Sequence, residues 1–138
     1  MIGRLAAGVA TALALAVPAT AQELPACPDR VTVADGWQGD VPQGWQQQRR
    51  ETEHRLLDIR FHVGNPATGT VIEPIGASSR GTVVSVRYGL PAVEGEVWMS
   101  CIYADTAHTL VRALARPFPP HVRVNHDRQD RRTFVTYF

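Results

Sequence analysis

Hydrophobic and polar residues alternate along this chain in short runs punctuated by Gly and Pro, and no stretch holds a helical period for more than about a dozen residues. Strands are therefore the expected elements. Leu57, Ile59, Phe61 and Val63 alternate with Asp58, Arg60 and His62, which predicts a strand with the first set buried and the second facing water. Gly64-Asn65-Pro66 then turns the chain. Further strands are expected at 31–33, 70–72, 82–88, 96–103, 109–114, 122–124 and 133–137. Within 97–103 the alternation puts Trp98, Ser100 and Ile102 on one face and Val97, Met99, Cys101 and Tyr103 on the other, with both faces expected to be covered. The charges and good helix formers of 46–56 admit a helical turn, although the apolar stripe is thin. Residues 76–81 read as a polar turn, and Trp37, Pro42, Gly44 and Trp45 fall in a loop. The expected fold is mainly β, a small antiparallel β-sandwich or barrel-like meander.

Composition narrows the function classes. The chain has 138 residues, 44% hydrophobic and 20% charged, with 14 Lys+Arg against 13 Asp+Glu. Such a balance excludes the strong basic excess of a nucleic-acid binder and the low hydrophobicity of a disordered chain. Residues 1–21 have the form of an export signal: Arg4, an apolar stretch at 5–17, and Ala19-Thr20-Ala21 as a small-x-small cleavage pattern. The apolar stretch is shorter than the roughly 20 residues a membrane span needs, so no stable span is expected after cleavage. A single domain over 22–138, periplasmic or secreted, is the resulting expectation.

An exported chain meets an oxidising compartment, and its two cysteines, Cys27 and Cys101, are expected to form one disulfide. Leu24-Pro25-Ala26-Cys27 superficially resembles a lipidation box, but Gln22 and Glu23 interrupt the apolar run and Pro25 is awkward there.

Catalytic motifs fail on spacing. His54, His62, His108, His121 and His126 form no metal-ligand pair, so neither metal nor cofactor is expected. Asp105, His108 and Ser100 can be arranged as a triad on paper but lack a nucleophile elbow. Glu94 and Glu96 share a strand face as a carboxylate pair, with a solvated loop edge as the simpler reading. The most charged stretch is 125–132, read as a hairpin loop. Its Arg128, Arg131 and Arg132 are the candidate binding residues if the loop recognises a partner, and Arg49 and Arg50 make a smaller site of the same kind.

Trp98, Cys101 and Tyr103, followed by Thr106, Leu110, Arg112 and Leu114, resemble the W-x-x-C-x-Y…T…L-x-R-x-L block of a family of small exported proteobacterial proteins without an assigned activity. Cys27-Pro28, Pro42-Gln43-Gly44-Trp45, residues 54–61, Gly64, Pro66 and Glu73-Pro74 follow in that family's order. Where its members often carry a further Cys near the C-terminus, this chain has Thr133-Phe134-Val135-Thr136-Tyr137. The resemblance implies an exported compartment and a β fold. The favoured function is a non-enzymatic binding domain for a protein or cell-envelope ligand. A narrower alternative is an inhibitor or immunity protein for a cell-wall hydrolase. A small hydrolase built on Asp105, His108 or the Glu94/Glu96 pair ranks last.

Overall fold

The computed structural model describes residues 23–36, 38–91 and 95–138. The expected export signal, Trp37 and Glu94 lie outside the described residues. Among the described residues there are nine strands and no helix: β1 (Arg30–Asp35), β2 (Arg50–Val63), β3 (Thr70–Val71), β4 (Gly76–Arg80), β5 (Val83–Gly89), β6 (Val97–Tyr103), β7 (Thr109–Ala113), β8 (His121–Asp127) and β9 (Arg132–Tyr137). All pairings are antiparallel. One sheet runs β1-β2-β6-β7 with β3 added to β2, and the other runs β4-β5-β8-β9.

The inner faces of the two sheets meet in one core, a sandwich curled into a half-barrel. Ile59 and Phe61 of β2, Val97 and Met99 of β6, and Val122 and Val124 of β8 are all 2% exposed or less. Phe61 packs edge-on against Tyr88 of β5, with ring centroids 5.2 Å apart. In β6 the expected alternation gives a buried face of Val97, Met99, Cys101 and Tyr103. The opposite face is less covered than expected, since Ser100 is buried but Trp98 and Ile102 are half-buried. Residues 23–29 form a strap along the core. The Leu24 amide donates to the Tyr137 hydroxyl (2.8 Å), the Tyr103 hydroxyl donates to the Pro28 carbonyl (3.0 Å), and Cys27 is bridged to Cys101 with Cα atoms 5.8 Å apart.

Four expectations need correcting. Residues 50–56 are strand and 46–49 loop, because β1 pairs along β2 from Asp35↔Arg50 to Arg30↔Arg55 and this ladder overrides the helix formers. Leu57 is 46% exposed, not buried, because the register on β6 jumps from Leu56↔Tyr103 to Asp58↔Ile102 and leaves Leu57 as an extra residue at a bulge. Val63, at the strand end, is exposed too, while His62 is buried, flanked in register by Val71 and Trp98 on the two neighbouring strands. Gly76–Arg80 is edge strand β4, with only 81–82 turning; an edge strand tolerates polar side chains on both faces, and a Cβ at Gly76 would meet the Arg87 guanidinium at 2.5 Å.

Candidate functional site

The charged stretch at 125–132, expected to be a hairpin loop, is half strand. Asn125, His126 and Asp127 finish β8, Arg132 opens β9, and only 128–131 turn. Asn125 is not a surface residue: its amide donates to the Thr136 hydroxyl (2.9 Å) and accepts from the Ser85 hydroxyl (2.6 Å) while 5% exposed. Asp127 fixes the turn. Its Oδ1 accepts from the amides of Gln129 (2.9 Å) and Asp130 (3.5 Å) and from the Thr82 hydroxyl (3.0 Å), the side-chain pattern of an Asx turn. The Gln129 amide first, and the Thr82 hydroxyl second, hold this carboxyl below its ordinary range by stabilising the carboxylate. The Arg128 amide ties back to the Thr82 carbonyl at 3.0 Å, and Arg131 takes a left-handed conformation at φ 50°. A turn held at this many points presents Arg128, Arg131 and Arg132 to solvent from a fixed frame.

Across from the turn stands the bulge of β2. Arg55, Leu57, Arg128, Arg131 and Arg132 line one hollow of about 310 Å³ together with His126 and Asp127. A second hollow of about 310 Å³ shares Arg55, Arg131 and Arg132 and adds Arg30, Asp29 and Asp130. The two hollows form an arginine-ringed saddle around the exposed Leu57 side chain. Among the described residues Arg55, Arg128 and Arg131 make no ion pair, whereas Arg30 pairs with Glu53 and Arg132 lies over the Phe134 ring at 5.9 Å. Asp127 caps the turn, and Asp58 meets Arg60 (3.2 Å) and His126 (3.5 Å), while Asp29 and Asp130 share the lining, so the two hollows together set five arginines against three aspartates. The result is a local cationic field around a small apolar spot, suited to an acidic surface carrying an apolar side chain.

The other sequence candidates stay apart. Ser100 is buried in mid-β6 opposite Val111, while His108 lies beyond the strand end and pairs with Asp35 at 3.4 Å, so no triad assembles with Asp105. Glu96 accepts from the Trp98 indole at 3.0 Å. Arg49 and Arg50 sit at the far end of the β1–β2 ribbon from Arg55 and do not join the saddle. Among the described residues no three His, Cys, Asp or Glu side chains come together as a metal site. Arg30, Arg55 and Leu57 are the functional candidates that sequence reasoning missed. Nothing local marks them, because they meet the 128–132 arginines only through sheet packing.

Residues 48–123 match the family model described as the type VI secretion system Tli immunity protein. The matched stretch runs from just before β2 into β8. No curated protein and no solved structure matches the chain.

Proposed function

Because the chain belongs to the Tli immunity protein family of the type VI secretion system, we propose that it protects its cell by binding and neutralising a toxin delivered by that system, with the arginine-ringed saddle as the contact surface. The observation that carries this reading is the group of arginines without acidic partners among the described residues, Arg55, Arg128 and Arg131, set around exposed Leu57. Buried apolar anchors surrounded by charge that steers association are what protein recognition needs. The family description favours the immunity alternative over an unspecified binding domain, and a binding role over catalysis. Export to the periplasm is part of the proposal, supported by the leader-like residues 1–21 and by the Cys27–Cys101 bridge, which an oxidising compartment maintains.

A protection assay tests the reading. The full chain, residues 1–21 included, is expressed in target cells attacked through a type VI system by the strain that carries this gene, and survival is compared with cells lacking it. Survival together with a measurable complex between the purified chain and the toxin is the expected result. Cells that die equally in both cases would overturn the reading. The narrower idea that the toxin is a cell-wall hydrolase is checked in the same cells, by whether unprotected ones accumulate cleaved peptidoglycan.

A further inference from the structure

The β1–β2 ribbon carries a feature that the saddle does not use. Its connecting loop, described over 38–49, places Trp45 at 76% exposure, beside Val41 at 40% and Pro42. A tryptophan left this open forgoes a large burial, and aromatic side chains of this kind are enriched where proteins bind one another. The Trp45 position is defined by its backbone: its amide donates to the Pro42 carbonyl at 3.1 Å, and Gly44 holds φ at +86°. That is the pattern of a type II turn, whose third position calls for Gly. Space around Gly44 is open, so its role lies in the backbone alone. Residues 41–48 carry no charged side chain, and three glutamines follow the tryptophan. The tip is therefore apolar and neutral, unlike the cationic base of the same ribbon.

We propose that the β1–β2 arm is a docking finger: Trp45 at its tip enters an apolar pocket on the toxin, while the arginine saddle at its base meets the toxin's acidic surface. The proposal rests on the immunity reading above. Base and tip lie on one continuous element, since Arg30 and Arg55 form the rung at the saddle and Asp35 and Arg50 the last rung before the loop. Those rungs are separated by about 17 Å at the usual rise of a strand. The loop carries Trp45 beyond the last rung, so a partner that meets both base and tip lies along the length of the arm. The neutral tip makes a contact insensitive to salt, and the arginine base one that weakens with salt.

The test titrates the purified type VI effector against which the chain protects in the survival assay with the full chain and its Trp45→Ala and Trp45→Phe variants, at low and moderate salt. Trp45→Ala is expected to raise Kd about 30-fold or more at both salts, as loss of a central aromatic anchor does, with the thermal midpoint unchanged. Trp45→Phe should retain most of the affinity. If wild type and Trp45→Ala bind equally, the finger is overturned and the immunity reading stands. If wild type does not bind, the immunity reading itself fails and the finger with it. Loss in Trp45→Ala only of self-association, or only of adhesion to vesicles of anionic phospholipid, would assign the tip to a second copy or a membrane and overturn the proposal. Should Trp45→Ala lower the midpoint, Val41→Asp at the same tip repeats the measurement, and unchanged affinity there overturns the finger as well.

Discussion

The Thr133 hydroxyl of β9 donates to the Leu57 carbonyl of β2 at 3.2 Å, a contact between sheets 76 positions apart in sequence. The same hydroxyl lies 3.2 Å from Nδ1 of His126, so one buried oxygen holds the bulge, the end of β8 and the start of β9 together. Thr133→Val keeps the side-chain shape and deletes that oxygen. The Leu57 carbonyl then loses a partner in a partly buried setting, at an expected cost of about 1 kcal/mol in denaturant unfolding. A change below about 0.5 kcal/mol would mean that water replaces the hydroxyl and that the junction is not held by this bond.

Reduction of the Cys27–Cys101 bridge should lower the thermal midpoint, and the denatured oxidised protein should show no titratable thiol. The bridge joins positions 74 apart in sequence. For a loop of that size the chain-entropy model gives a stabilisation of about 4.5 kcal/mol, an upper figure because unfolded-state structure reduces it. Reduction should also free the strap at 23–29, detectable as faster amide exchange at Leu24, whose amide bonds to Tyr137. An unchanged midpoint after full reduction would show that the strap is held by its other contacts alone.

Period-two alternation is local information, and where it governs, the fold is legible in the sequence. The buried face of β6 and the placement of β5, β6, β7 and β9 follow from it, whereas β8 runs on to Asp127 through residues that read as loop. Leu57 misleads because its neighbours in sequence place it in the buried phase, while the bulge that turns it outward exists only in the register against Tyr103 and Ile102. Trp98 misleads for a related reason: covering its face would take a third layer, and the sandwich has two. Arg128, Arg131 and Arg132 are visible as a charged run, but Arg55 and Leu57 join them only once both sheets have formed.

His62 gives the fold an acid-sensitive point. It is 8% exposed, and Nδ1 has no hydrogen-bond partner. Desolvation by burial, and then the nearby Arg60 guanidinium, push its pKa below the ordinary 6.5. The unfolded chain therefore takes up a proton at a higher pH than the folded one. Stability from this group is full above about pH 6.5 and falls as pH drops towards the lower folded value. The thermal midpoint of wild type should fall between about pH 7.5 and pH 5.5, and His62→Gln, which does not titrate, should fall less. Parallel falls in the two proteins would place the sensitivity at another group.

Reversing Arg128, Arg131 and Arg132 to Glu separates the role of the saddle from its scaffold. All three side chains are exposed, and the turn that carries them is fixed by Asp127 and Thr82 rather than by the arginines. Stability should therefore change by no more than about 1 kcal/mol in total, as surface substitutions do. Binding to the toxin should weaken by more than tenfold at low salt, because like charges then face the acidic surface. Wild-type affinity should decline as salt rises, whereas the reversed variant should lose most of that dependence. Arg80→Glu, on edge strand β4 and outside both hollows and the β1–β2 arm, is the control and should leave the salt slope largely unchanged. Equal affinity for wild type and the triple reversal at both salts would remove the saddle from the interface. Unfolding of the triple variant would show instead that these arginines hold the β8–β9 turn, against the contacts described for it.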